Sequence, residues 1–219
     1  MQPPVFVQEA ETSWTSLGFP QTTRTTSSFN VQAGDVLVAY CMLENGDQSA
    51  SISGGSQSWS QVQQVSAGAG YARVYAWTTT VDADKSMTVS FTKSSTSSFC
   101  FGGNVLMFRG SDGIGASAKR NISAGALEDV DLNLETTQDN SAVVVAMCDW
   151  EALNGASRNW KTNGGAFTEL TYQYVSGQYT VYGGYHADTG SAATREYGLT
   201  SPLDLTYSIV AVEVLGTAE

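Results

Sequence analysis

Paired acidic residues are the first place in this sequence where chemistry could occur. Glu44 and Glu151 each stand three residues after a cysteine, and Asp47 and Asp149 lie near them. Two carboxylates about 5 to 9.5 Å apart can act as the acid and the base of a glycosidase. Acidic residues also occupy ordinary solvated turns after strands, and no further glycosidase pattern accompanies these. We therefore expect no catalytic residues and a protein that is not an enzyme.

The remaining reactive side chains are isolated. His186, the single histidine, has Asp188 nearby, but no serine or cysteine nucleophile matches it in the sequence. Asp82 and Asp84 are similar to the start of a calcium-binding loop, yet the required glycine and closing glutamate are missing. We expect no metal site and no cofactor.

Two tryptophans suggest a different use for one loop. Trp150 and Trp160 bracket the polar stretch "EALNGASRN". Proteins bind sugar rings by stacking aromatic faces on C–H groups while amides and carboxylates meet the hydroxyls. The candidate glycan-binding residues are therefore Trp150, Glu151, Asn159 and Trp160. The alternative is that Trp150 belongs to the core and Trp160 covers a sheet edge.

The three cysteines lie in apolar stretches. Cys41, Cys100 and Cys148 show no metal-ligand spacing, and we expect buried free thiols that act as small hydrophobic side chains. A bridge between Cys41 and Cys148 is the alternative, since the two occupy matching strands.

The elements that must position these residues are strands. Apolar residues alternate in "SMTVSF" and "YSIVAVEV", and turn segments rich in Gly, Asn, Asp and Ser separate such runs. No window shows a helical period. The pattern predicts an all-β protein, an antiparallel β-sandwich or jelly-roll-like fold.

The chain contains an internal repeat. The segment "AGDVLVAYC" is repeated as "DNSAVVVAMC", and other positions recur at nearly the same spacing of 106 to 108 residues: Cys41 with Cys148, Trp59 with Phe167, Val74 with Val181 and Gly110 with Gly216. We expect a single domain over residues 1–219 with an internal pseudo-twofold, built from pseudo-repeats at about 28–110 and 134–216. Two small sandwiches, 1–110 and 120–219, are the alternative.

The repeated strands are apolar on both faces. A strand in a two-layer sandwich needs only one apolar face, so the other face must be covered from within the chain or by a neighbouring subunit. If a subunit covers it, the interface residues are Val36, Val38, Tyr40, Val143, Val145 and Met147.

Charge and hydropathy limit the partners. The formal net charge is -11, the wrong sign for contact with a phosphate backbone, so we expect no nucleic acid partner. No stretch of about 18 apolar residues predicts a membrane span, and no signal peptide is expected.

The layout "F-x-V-x-A-G-D-V-L-V" from Phe29 to Val38, followed by "SWSQV", "ARVYAWTTTVDADKSMTVSF" and "VLMFRG", resembles small β-sandwich virion proteins of tailed bacteriophages. The resemblance covers residues 28 to 216 and implies an external capsid decoration or cement protein, or a fibre-type module. It implies folding in the host cytoplasm, a place on the virion exterior, and a homo-oligomer that packs on major capsid or fibre components. The alternative function is a carbohydrate-binding module or adhesin domain for host-surface glycans.

Overall fold

The described chain consists of strands joined by turns. The computed structural model describes residues 2–14, 21–68, 70–96, 99–126, 129–151, 153–161, 165–203 and 205–218. Ten strands form the first half: β1 (Val5–Glu11), β2 (Thr23–Thr25), β3 (Phe29–Val31), β4 (Val36–Leu43), β5 (Ala50–Gly54), β6 (Ser60–Ser66), β7 (Arg73–Thr80), β8 (Lys85–Met87), β9 (Val89–Lys93) and β10 (Phe101–Arg109).

Eight strands form the second half: β11 (Gly113–Ala126), β12 (Val130–Glu135), β13 (Ala142–Asp149), β14 (Asn159–Trp160), β15 (Phe167–Val175), β16 (Tyr179–His186), β17 (Thr194–Ser201) and β18 (Leu205–Leu215). All strand pairs are antiparallel. The described residues form no helix, and so they include no helix that could cross a membrane. The prediction of an all-β sandwich-like fold is confirmed.

The strands are arranged in four layers. Each half contributes one main five-stranded sheet, in the order β1-β10-β4-β7-β6 and β11-β18-β13-β16-β15. The main sheets face each other, and their other faces are covered by small sheets: β2-β9-β5 and β3-β8 in the first half, β12-β17-β14 in the second. This layering buries both faces of the inner strands β4 and β13, which explains why these strands are apolar on both sides.

Three cores result from the layers. The central core lies between the main sheets and holds Val38 and Tyr40 of β4 against Val144 of β13. The first outer core contains Leu37, Cys41 and the rings beneath the small sheets of the first half. The second outer core contains Val145, Met147 and the rings beneath β12-β17-β14. Each half thus has a core of its own, and the halves share a third.

The two main sheets repeat one another in strand order and in register. Leu106 of β10 pairs with Val38, and at the same place in the second half Val212 of β18 pairs with Val144. Across the central core the edge strands also correspond: Thr171 of β15 bonds to β1, and Gln63 of β6 bonds to β11. Equivalent edge strands of the two halves therefore meet across the central core.

The register corrects one anchor of the sequence repeat. Met42 pairs with Val74, and its counterpart opposite Val181 is Cys148. Cys148 therefore corresponds to Met42 and not to Cys41. Because successive residues of a strand point to opposite faces, this one-residue difference places Cys41 in the first outer core and Cys148 in the central core. All three cysteines are buried and form no disulfide, which confirms the expected thiols.

Two glycines in β10 let rings approach its backbone from both sides. A Cβ at Gly102 would lie 2.4 Å from the Trp14 ring, and one at Gly103 would lie 2.5 Å from the Phe91 ring. Trp14 packs in the central core and Phe91 in the first outer core. The "FGGN" segment is therefore a packing feature of a strand rather than a turn.

Candidate functional site

The six predicted interface residues lie inside the chain. Val36, Val38 and Tyr40 face the central core, whereas the residues named in β13 face the second outer core: Val143, Val145 and Met147. None is more than 1% exposed. The interface prediction is wrong for these positions, because the chain's own sheets cover both faces of β4 and β13.

An apolar surface occurs instead on the edge strand β1. Val5 is 63% and Val7 38% exposed, and β1 is the last strand of its sheet. Its pairing with β10 shifts register between Phe6 and Gln8. A groove of about 460 Å³ adjoins the edge and is lined by Val5, Phe6, Val7, Arg109 and Gly110. The β-branched and aromatic run "VFV" is the sequence signal that could have indicated this strand.

The two tryptophans of the predicted glycan loop belong to different cores. Trp150 packs on the central core, with its ring edge-on to Tyr71 at a centroid distance of 5.8 Å. Trp160 packs on the second outer core and stacks on Phe167 at 3.7 Å. The structure therefore places the rings on opposite faces of the second main sheet, and they form no common platform.

The polar members of the predicted glycan site are also apart. Glu151 accepts a hydrogen bond from the Thr206 hydroxyl at 2.6 Å. Asn159 donates through Nδ2 to the Ser201 hydroxyl at 2.9 Å. Both side chains therefore join their loop to strands β17 and β18, and only Asn159 accompanies Trp160.

A mixed aromatic and polar patch surrounds Trp160 of β14, where β14 and its preceding loop meet β15. The Arg158 guanidinium lies 3.5 Å from the Tyr172 ring centroid and donates through Nε to Glu169 at 2.6 Å. Trp160 Nε1 donates to the same carboxylate at 2.7 Å, and the Tyr172 hydroxyl donates to Asn154 Oδ1 at 3.1 Å. The hydrogen bond to Glu169 raises the pKa of Arg158. We call these five residues the β15 patch.

The β15 patch presents an amide, an ion pair and aromatic edges at one surface. Such groups can bind sugar hydroxyls and C–H faces. Sequence reasoning found Trp160 but missed Glu169 and Tyr172, because they lie in a strand that reaches the loop only through folding.

The buried titratable groups are held by structural bonds. Asp149 accepts the backbone N–H groups of Glu151 at 2.9 Å and Leu153 at 3.1 Å, and burial raises its pKa to about 7. His186 Nδ1 lies 3.0 Å from the Gly165 carbonyl oxygen, and burial lowers its pKa to about 4. His186 is therefore neutral at pH 7.

The partner considered for His186 is bonded elsewhere, since Asp188 accepts the Gly190 N–H at 2.7 Å. The His186 ring packs against Phe167 and Tyr197 at centroid distances of 5.0 and 5.1 Å. His186 is therefore packed among aromatic rings as a buried side chain.

Metal ligands do not cluster in the part of the chain that the structure describes: no three His, Cys, Asp or Glu side chains come together there. In comparisons with known proteins, the chain matches no family model, no curated protein and no solved structure. The functional argument therefore depends on the surfaces described above.

Proposed function

We propose that this chain is a non-enzymatic structural protein of a bacteriophage virion, an external capsid decoration protein that packs on neighbouring virion subunits. The virion assignment rests on the sequence resemblance. The mode of contact rests on one observation, the exposed Val5 and Val7 on the open edge of β1. The net charge of -11 supports it, because an acidic surface keeps an abundant shell protein soluble before assembly.

The β1 edge is suited to contact by side-chain packing. An edge strand presents unpaired backbone groups, and a bulge such as that near Val7 limits continuous pairing with another strand. Two valines and the adjoining groove give a small apolar contact with Arg109 at its rim. Small contacts of this kind hold a shell together when many copies bind at once.

The proposed location is the virion exterior, after folding in the host cytoplasm. Three buried cysteines that form no disulfide support this, because a reducing cytosol keeps cysteines as thiols. The proposed partners are copies of the same chain and the major capsid or fibre proteins.

Charging the β1 edge tests this function. The wild type is expected to form oligomers or to sediment with assembled capsids, and Val5→Lys with Val7→Lys is expected to weaken this at least tenfold. Leu203→Lys, at another exposed apolar residue, is the matched control and is expected to bind normally. Thermal unfolding checks that all variants fold. Normal assembly by the β1 variant, or a wild type that neither oligomerises nor binds capsids, would contradict the proposal.

A glycan-binding module is the second candidate, and the β15 patch is the observation that favours it. Asn154→Ala is expected to abolish signals on a glycan array without loss of stability, because Asn154 is exposed. Asn133→Ala is the matched control, since Asn133 is an exposed asparagine on β12, at the opposite edge of the small sheet from Trp160. A blank array for the wild type excludes this candidate.

A further inference from the structure

The edge strands of the two main sheets, β1 and β11, are pseudo-equivalent and carry different side chains. Each contains a bulge at the same place along the strand. Counted from that bulge, residues 5–8 ("VFVQ") correspond to residues 113–116 ("GIGA"). The exposed Val5 and Val7 of the first half therefore have glycines as their counterparts in the second half. One edge presents apolar side chains, and the other lacks them at the matching positions.

The last residues of these two segments, Gln8 and Ala116, differ in how they meet the neighbouring small sheet. Gln8 donates through Nε2 to the Asn30 carbonyl oxygen of β3 at 2.7 Å and so connects β1 to its small sheet. Ala116 has no polar side chain, and a groove of about 800 Å³ lies between β11 and β12. Both β11 and β12 are terminal strands of their sheets. We call this space the β11 groove, and its lining includes Ala116, Ser117, Ala118, Asn133, Glu135 and Thr137.

The β11 groove can receive apolar side chains because its own side chains are small. Ala116 and Ala118 pack on the second outer core, so the strand side of the groove is apolar and is continuous with that core. The exposed valines of β1 are large apolar side chains without cover within the described chain. The shapes of the two pseudo-equivalent edges are therefore complementary to each other.

Charge selects between the possible partners of the β1 edge. Arg109, at the rim of that edge, is 42% exposed and donates to Asp35 through Nε and Nη2, while its Nη1 has no partner among the described residues. Two β1 edges placed together would bring two such cations into one small contact. Glu135 is exposed at the rim of the β11 groove and forms no ion pair in the part of the chain that the structure describes. The β11 groove therefore offers the opposite charge.

We propose that the β1 edge of one copy binds the β11 groove of a second copy. The proposal rests on the proposed function, for which it names the neighbouring subunit and the surface that receives β1. Val5 and Val7 pack on Ala116 and Ala118, and Arg109 lies opposite Glu135. Because each copy offers one edge and one groove, the contact is heterologous, and it continues from copy to copy into a ring or an open row.

Two double variants test the two sides of this contact separately. The edge variant carries Val5→Lys and Val7→Lys. The groove variant carries Ala116→Gln, which introduces the side chain of the first half, and Glu135→Lys. Asp47→Lys makes the same charge change at an exposed residue outside both grooves and is the matched control. Thermal unfolding checks that every variant folds.

Sedimentation velocity measures self-association at chain concentrations up to on the order of 1 mM, because small contacts are weak one at a time. The wild type and the control are expected to form oligomers that grow with concentration. Each double variant alone is expected to raise the dissociation constant at least tenfold. An equimolar mixture of the two variants is expected to form one-to-one dimers and no larger species, since only one intact edge and one intact groove remain per pair.

The inference is overturned by a wild type that stays monomeric, by a groove variant that associates as the wild type does, or by a mixture that stays monomeric. Sedimentation with assembled capsids separates this result from the virion function. Mixed dimers without any wild-type binding to capsids would support the contact and contradict the virion function. Loss of capsid binding in the edge variant, together with normal self-association of the groove variant, would support the virion function and overturn this contact.

Discussion

The outer cores of the two halves occupy corresponding places and are filled differently. The first is packed with the apolar rings of Trp77, Phe91 and Phe101. The second contains Tyr197, with His186 packed against its ring, and the Tyr197 hydroxyl and His186 Nε2 are buried without partners among the described residues. The same strand order is therefore compatible with both sets of buried side chains. Buried cations, Arg24 and Lys93, lie over the Phe101 ring of the first outer core, whereas the second encloses a neutral hydroxyl and an imidazole.

The largest expected effect concerns the first outer core. Phe91→Ala removes a fully buried ring that packs against the backbone of Gly103, and the strand cannot move in to fill the space. We expect the free energy of unfolding to fall by about 3–5 kcal/mol, measured by chemical denaturation. A fall below about 1 kcal/mol would show that this core is not the main support of the first half.

Two buried groups in the second half, Asp149 and His186, are expected to make the free energy of unfolding depend on pH. The folded chain keeps the Asp149 proton up to pH about 7, while the unfolded chain releases it near 3.8, so this contribution to stability falls as pH rises between these values. His186 has a pKa of about 4 when folded and 6.5 otherwise, so its contribution falls as pH drops from 6.5 to 4. The two slopes oppose each other.

Single substitutions separate the two groups. Between pH 4 and 6.5, His186→Gln is expected to become less stable as pH rises, and Asp149→Asn more stable, each by on the order of 3 kcal/mol over the window. Urea unfolding at a series of pH values measures the slopes. Equal slopes in the wild type and both variants would contradict the assignment.

A smaller effect is expected at the centre. A Cβ at Gly183 would lie 2.5 Å from the Tyr40 hydroxyl, which is fixed by Thr171, while the pseudo-equivalent position in the first half is already Ala76. Gly183→Ala is expected to lower the free energy of unfolding by about 1–3 kcal/mol through overpacking. Combining it with Tyr40→Ala reproduces the Ala146 and Ala76 pair and removes the clash. If Gly183→Ala alone leaves the Tm unchanged, the central core has as much space at Gly183 as at Ala76.

The smallest effect distinguishes the outer cores most directly. Tyr197→Phe keeps the ring and deletes a buried hydroxyl that has no hydrogen-bond partner among the residues the structure describes, so stability is expected to stay within about 1 kcal/mol or to rise. The urea midpoint measures it. A loss above about 2 kcal/mol would mean that the hydroxyl has a bound water or ligand.

Much of the fold was predictable because strand signals are local. Alternation and turn residues indicated the all-β class, and the apolar surroundings of Cys41, Cys100 and Cys148 indicated buried thiols. The repeat was also visible in the sequence. The register of the repeat was not visible. The sequence aligns Cys148 with Cys41, but the strand pairing makes Cys148 equivalent to Met42, one residue further on.

The candidate sites were less predictable. Apolar residues on both faces of β4 were correctly recognised, but whether a subunit or the chain's own strands cover them depends on distant segments. The hydrogen bonds of Asn104 show the same limit, because Glu9, Asn104 and Thr171 come from three strands far apart in sequence.

The sequence by itself determined the strand content, the duplication and the burial of the thiols, because each follows from the period and composition of short segments. Only the tertiary structure decided which faces of the two main sheets pack together, which edge strand remains exposed at Val5 and Val7, and which polar side chains meet across the central core. These depend on how two sheets stack, and a stacking distance of about 10 Å between layers has no counterpart in the spacing of residues along the chain.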